Sequence, residues 1–365
     1  MSSEAAIEVV SGKELVSFEG NTFALGLHLP ERRTLAYPTL STMTPLLPMD
    51  EIRKIVGRSD FLFGRKYFDS SWITNQNGYG SCAGYGASSA LAKARVLRGQ
   101  PRVDLSGDFL YSLVNDGRDR GSGLEENMRA MMSRGVCTKE TVPLGGIYRN
   151  KYDTRVADKE AMRFRGHELY AVPDEQSMAT ALAMRVPVVV AIHVTSRWRQ
   201  FDSDDILAAA NGVGNHCEHV DDIMYSTKHS CFLYRKATSH GVNYSGDGYC
   251  WTTWERHYKR PSRHHMFYAV PSAIDDPLDT NPSFGEQEIE VPRLTIQSSD
   301  GCVWCGRWKA TEEPKARAAG YRLESGSVPG RGVPRFTLHV GSRSETQVGF
   351  WKFEEIEETV ARLRG

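Results

Sequence analysis

The 365-residue chain has no net charge, with 45 lysines and arginines against 45 aspartates and glutamates, and no basic stripe interrupts the balance. Nucleic acid is therefore excluded as an expected partner, since phosphate recognition needs clustered cations. Long hydrophobic runs are also missing. Nowhere do about eighteen apolar residues follow one another, so no membrane-spanning helix is expected. The opening MSSEAAIEVVSGKELVSFEG carries acids where an export signal needs a basic start and an apolar stretch, so no signal peptide is expected. Cysteine is sparse and odd in number: residues 82, 137, 217, 231, 250, 302 and 305, scattered apart from one C-x-x-C pair. That pattern excludes a secreted disulfide framework and favours a reducing compartment. Repeats and low-complexity tracts are absent, and the length calls for two or three domains of roughly 150 residues each.

What is present reads from the N-terminus as follows. Residues 1–60 mix short apolar runs with LHLPERR and LLPMDEIRK and form an N-terminal extension of no readable role. A helix of small residues begins at Cys82 and stops at Gly99, and a second starts at LSGDFLYSLVNDG with Ser106 as its cap. GSGLEENMRAMMSRG is a third, ending at Gly135. PDEQSMATALAMRVPVVVAIHV is a helix that breaks before Pro187 into a buried strand, and the text to about Val270 is strand-like and aromatic. Helices followed by strands make an α+β domain over 61–275. The stretch 276–289, rich in Pro, Asp and Asn, is a linker to a small α/β unit over 290–365. Within that unit RLTIQ is a strand, VWCGRWKATEEPKARAAG a helix, PRFTLHV and ETQVGF strands, and KFEEIEETVARLRG an amphipathic final helix.

The chemistry concentrates at WITNQNGYGSCAGYG, where Cys82 stands six residues after Gln76 and opens a helix. A thiol there meets unpaired N–H groups and the positive helix end, which lowers its pKa and suits a nucleophile. These residues resemble the papain-like cysteine proteases, particularly short bacterial and viral members. QNGYGSC is similar to the family's oxyanion-hole Gln and catalytic Cys, GNHCEHV to its Asn-His-Ala block, and KATSHGVNYSGDGY to its Asn-Ser-Trp-Gly block with the closing Gly-Tyr. The likeness runs from about Tyr67 to Val270. It implies a two-lobed fold, a protein or peptide substrate and hydrolysis through a thiolate. The implied roles are Cys82 as nucleophile, His216 as base and then acid, and Gln76 as oxyanion donor. Thr238 falls where the family has its orienting Asn, His240 where it has the shielding Trp, and Ala83 where an aromatic follows the Cys. HCEHVDDIMY is more polar than the family's strand. The competing reading is a catalytically degenerate relative with a structural or docking role in a large assembly such as a viral particle. The expected location is the cytoplasm or a virion.

His219 competes with His216, but three residues apart on a strand they face opposite ways. For the same reason His216, Cys217 and His219 make a poor metal cluster, and no metal or other cofactor is expected. The second constellation is LTIQSSDGCVWCGRW, which puts Cys302 and Cys305 between a strand and a helix. Together with RGVPRFTLHV and VGFWKFEEIEETVARL it resembles the thioredoxins and glutaredoxins. That likeness implies a redox-active dithiol beside Pro334 as the cis proline. A zinc site is the alternative, for which only His339 follows as a further ligand.

Overall fold

Short alternating segments near the N-terminus pair locally into an antiparallel ribbon of β1 (Ala6–Val10), β2 (Lys13–Phe18) and β3 (Asn21–Leu25). In this computed structural model the described residues are 6–10, 13–18, 21–30, 37–58, 61, 63–210, 212–275, 292–298, 303–319, 321–327, 335–340, 343–348 and 351–364. They divide into two compact units, Met1–Arg95 with Arg102–Thr280, and Val96–Pro101 with Asn281–Gly365. No helix among the described residues is long and apolar enough to cross a membrane.

After β3 the chain runs extended through β4 (Leu27–His28) to three short helices, α1 (Leu40–Met43), α2 (Met49–Val56) and α3 (Gly64–Tyr67). The long helix α4 (Cys82–Leu97) follows. Its composition, CAGYGASSALAKARVL, has a packing reason. A Cβ at Gly86 would lie 2.9 Å from Cys217 Sγ and 3.3 Å from Glu218 O, so only a small-residue face lets the helix approach the sheet this closely. Helix α5 (Gly107–Ser112) is capped by Ser106, whose hydroxyl accepts from Phe109 N at 3.1 Å. Strand β5 (Ser122–Gly123) pairs in parallel with β4, and α6 (Leu124–Ser133) and α7 (Thr154–Ala161) complete this helical side.

The β side is one antiparallel sheet. It contains β6 (Phe164–Val172), β7 (Val188–Ile192), β8 (His216–Ser226), β9 (Cys231–Ala237), β10 (Tyr249–Thr252) and β11 (Phe267–Asp275), in the order β10-β9-β8-β7-β11-β6. Helix α8 (Glu175–Ala183) joins β6 to β7, with Asp174 accepting from Ser177 N at 2.8 Å. The β6–β11 register shifts beside Ser272, next to Pro271, a residue with no N–H for the ladder.

The polar run in β8 has partners. Asp221 lies between Lys93 Nζ of α4, at 2.5 Å, and Arg235 of β9, whose Nε donates at 2.9 Å. Asp222 receives Arg65 Nε at 2.8 Å, and Glu218 receives Lys236 Nζ at 2.6 Å. All three carboxylates are buried. Burial alone would neutralise Asp221, yet the Arg235 and Lys93 charges hold its carboxyl well below the usual range. The strand is therefore charged because it ties α4 to β9.

The second unit begins with β12 (Arg293–Ser298), followed by α9 (Val303–Thr311), α10 (Glu313–Ala318), β13 (Arg322–Ser327), β14 (Arg335–Val340), β15 (Arg343–Val348) and α11 (Phe353–Arg364). The sheet order is β13-β12-β14-β15, with β12 and β13 parallel and the other pairs antiparallel. Trp308, Phe336, Leu338, Trp351 and Ile356 fill its core, and Trp308 Nε1 donates to Trp351 O at 2.7 Å. The single helix expected after Val303 is two, because Pro314 starts a new one in which it needs no hydrogen bond from its nitrogen. Strand β13, RLESGS, lacks an apolar alternation and was not expected. The linker 276–289 lies outside the described residues, as do Cys302 and Pro334, while Cys305 falls within α9.

Asp221→Ala leaves Lys93 and Arg235 buried without their counter-charge and is expected to cost about 3–5 kcal/mol in urea unfolding. A negligible loss would show that Lys93, whose pKa burial lowers to about 8, is accommodated as a neutral amine.

Candidate active site

Gln76 is held at both ends of its side chain. Its Oε1 accepts from Ser239 Oγ at 2.5 Å, its Nε2 donates to Tyr79 O at 2.7 Å and Ala24 O at 3.1 Å, and its N–H donates to Ser239 O at 2.8 Å. The loop leading to Cys82 is thus fastened to the segment containing Thr238 and His240. Cys82 opens α4 and is fully buried.

His216 begins β8, where the residue before it, Asn215, is pinned by Val194 N donating to Asn215 Oδ1 at 2.8 Å. Its ring stacks on His240, centroids 4.5 Å apart and planes 16° apart, so His240 covers the imidazole in place of a tryptophan. Thr238 does not reach His216. Its hydroxyl lies 3.1 Å from His240 Nδ1 and accepts from His240 N at 3.1 Å. The group facing His216 Nε2 is Glu218, with Oε1 3.7 Å away. Residues 216 and 218 share a strand face, so the period of two alone identifies Glu218 as a neighbour of the imidazole. Neither ring nitrogen of His216 has a hydrogen-bond partner among the described residues, the Cys82 sulphur included. His219 points to the other face, where Lys93, Asp221 and Arg235 act on it electrostatically.

The N-terminal residues supply the unexpected part of the site. Phe23 packs against His240 at 4.7 Å and Trp198 at 5.8 Å between ring centroids. Ala24 O takes the Gln76 amide, Gly26 N–H hydrogen-bonds the Cys82 sulphur, and Gly26 O accepts from Ser122 N at 2.8 Å. Leu27 N donates to Asn215 O at 3.1 Å, and His28 Nε2 lies 2.8 Å from Arg120 O. Residues 23–28 therefore form a strap between the helical side and the sheet, directly over the thiol. The side chains of Phe23, Leu25 and Leu27 are buried. Sequence patterning gave no signal for this, because the strap is gripped by its backbone.

Burial sets the protonation state. It pushes the Cys82 thiol up to about 11, although hydrogen bonds from the Cys217, Gly26 and Ala83 N–H groups oppose the shift. This corrects the expectation of a lowered thiol pKa: the helix terminus is outweighed by desolvation. Burial, reinforced by the Lys236 charge, lowers His216 to about 3. Near neutral pH the site holds a neutral thiol and a neutral imidazole.

His216, Glu218 and His240 each have a donor atom within 4.8 Å of the others, the one such group among the described residues. Their geometry does not suit a cation, which must lie in the plane of each imidazole that binds it, and these two rings are stacked nearly parallel.

The sequence profile of the papain family cysteine proteases matches residues 65–266, more than half of the chain, and the chain belongs to that family. Among solved structures it is similar to xylellain, a cysteine protease from Xylella fastidiosa, with 18% identity and a TM-score of 0.53 over 68% of this chain and 95% of that one. It is also similar to proCathepsin B S9 from Trypanosoma congolense, with 13% identity and a TM-score of 0.50 over 69% of this chain and 86% of that one. At these identities the likeness is one of fold. No curated protein matches the sequence.

Besides His216, burial lowers His257 to about 3 and His265 to about 4. In an unfolded chain each would titrate near 6.5, so the unfolded state binds more protons below that pH. Their contribution to stability is full above pH ~6.5 and is lost as pH falls toward about 3–4. The melting temperature is expected to drop steadily from pH 7 to 4, and His216→Gln is expected to flatten part of that slope. A flat profile would show that the imidazoles already carry protons.

Proposed function

We propose that this protein is a cysteine endopeptidase held latent by its own residues 23–28. The observation that carries the reading is the Gly26 N–H on the Cys82 sulphur, with Ala24 O of the same strap on the Gln76 amide. Attack by sulphur requires a carbonyl carbon, and the strap offers an N–H instead, so it occupies the cleft without being cleaved there. The procathepsin that the chain resembles supports latency only by analogy of fold.

Release of the strap admits water, which lets the thiol pKa fall and the imidazole pKa rise. His216 takes the thiol proton, and the thiolate attacks the substrate carbonyl carbon. The oxyanion is received by Gln76 Nε2, now on Ala24 O, and by an N–H at the start of α4. The imidazolium then protonates the leaving amine, and water hydrolyses the thioester. Glu218 faces Nε2 and is anchored by Lys236, which leaves Nδ1 for the thiol. In this reading Glu218, rather than Thr238, orients the ring.

The C-terminal unit is read as a thioredoxin-like dithiol domain. Its support is the strand-helix-parallel-strand start, the antiparallel pair and closing helix that follow, and the C-x-x-C of the sequence, whose Cys305 falls within α9. On this reading Cys302→Ser is expected to abolish reduction of a small disulfide by the full chain.

Gly26→Leu cannot be seated against the Gly80 backbone and is expected to displace the strap. A thiol reagent at pH 7 is then expected to label Cys82 at least ~10-fold faster than in wild type, with peptide cleavage appearing and Cys82→Ala abolishing it. Glu218→Gln in the opened form is expected to lower kcat by about 10–100-fold, and Thr238→Ala by less. Equal labelling of wild type and Gly26→Leu would overturn latency. Cleavage that survives Cys82→Ala would overturn the nucleophile.

A further inference from the structure

A second thiol adjoins Cys82. Cys217 follows His216 on β8, in the place of the alanine of the Asn-His-Ala block, and its N–H hydrogen-bonds the Cys82 sulphur. A sulphur bonded in this way brings the two Cα atoms near the ~4.4–6.8 Å that a disulfide spans. The Cys217 side chain faces α4, where a Cβ built on Gly86 would stand 2.9 Å from Cys217 Sγ. Gly86 comes about one turn after Cys82 on the same face of that helix, so the second sulphur rests on bare backbone just beyond the first. Both thiols are fully buried and free.

The Cys217 side chain is also loosely held. Small residues flank it, with Ala191 opposite on β7 and Gly86 on α4. Its thiol donates to Glu218 O at 3.8 Å, a long bond from a weak donor, which sets little resistance to a turn about Cα–Cβ. Cys250 instead faces Tyr244 OH at 3.9 Å, and Cys231 begins β9.

From this pairing we propose that Cys82 and Cys217 form a modification site for hydroperoxides, at which oxidation closes a reversible disulfide between them. The proposal gives the regulation of the site read above as a peptidase, and it rests on the opening of the strap, which lets Cys82 ionise. The Cys82 thiolate attacks a peroxide oxygen, the O–O bond breaks, and Cys82 becomes a sulfenic acid while the departing hydroxide takes a proton from water. The Cys217 sulphur then attacks the Cys82 sulphur. An S–S bond forms, the S–O bond breaks, and the hydroxide leaves with the Cys217 proton as water. Two thiols have given two electrons to one peroxide. Burial, reinforced by Cys82 and Glu218, holds the Cys217 thiol well above its usual range, so it stays protonated and leaves the oxidant to Cys82. The bridge ties the start of α4 to the start of β8 and keeps Cys82 from passing to the sulfinic acid, which thiols do not reverse.

The test treats the full chain with excess hydrogen peroxide at pH 7, as wild type and in two forms opened by Gly26→Leu and by Phe23→Ser. Remaining thiols are alkylated in denaturant and the peptides are mapped by mass. The opened chains are expected to yield the Cys82 and Cys217 peptides joined, lighter by a pair of hydrogen atoms, at least ~10-fold faster than wild type, and dithiothreitol is expected to restore Cys82 labelling. Cys217→Ala keeps the N–H on Cys82 and removes only the second sulphur. In that background, and in Cys217→Ser as a second variant, the labelling restored by dithiothreitol is expected to fall at least ~10-fold as Cys82 passes to the sulfinic acid. Cys82 left reduced in the opened chains, Cys82 bridged to another cysteine, or equal restoration without Cys217 would overturn the proposal. Bridge formation in opened chains that cleave no peptide before oxidation would instead uphold it and overturn the peptidase reading.

Discussion

Everything at this site follows from a peptide backbone being pressed onto a thiol. Residues 23–28 lie over Cys82 and the His240 ring covers His216, and desolvation drives the two pKa values apart, the thiol to about 11 and the imidazole to about 3. The N–H groups at the sulphur are real stabilisers of a thiolate, yet they do not outweigh the loss of solvent. A helix N-terminus activates a cysteine only when the charge it favours can also be hydrated or paired.

The β strand that carries His216 serves two faces of different chemistry. On one face His216 and Glu218 meet Lys236 and His240, and on the other Cys217 and His219 lie toward α4 with its Lys93. A register shift between Val220 and Asp222 follows, after which Asp222 turns to Arg65. The buried ion pairs contribute little net energy compared with apolar packing, but removing one partner is costly. They hold α4 and β9 to β8, and so hold the helix that opens at Cys82 and the strand that opens at His216 in one frame.

Much of this was legible in the sequence where side chains mark the structure. The helix at Cys82, the Ser106 cap, the break before Pro187 and the run VVVAI all follow from composition and period. The Gln76 to Cys82 spacing marked the loop that leads into α4, and GNHC marked the start of β8. What was not legible is carried by main-chain atoms or by long-range pairing. The strap is recognised through Ala24 O, Gly26 N–H and Leu27 N, which every residue type except proline can supply. Thr238 fell at the expected place in the chain, but its hydroxyl is closed onto His240 two residues away. The period of two places Glu218 on the face of His216, but its partner Lys236 was not legible because it stands on the next strand.

The fastening of Leu27 to Asn215 and of Gly26 to Ser122 places the blocking segment on the same molecule as the cleft. Its local concentration is then fixed by chain geometry and does not change on dilution. A peptide substrate competes with an occupant it can never outnumber by being added to a more dilute enzyme. Its apparent affinity is the intrinsic one multiplied by the fraction of molecules whose strap is open, so a small change in that fraction alters substrate affinity in direct proportion without altering one atom of the cleft.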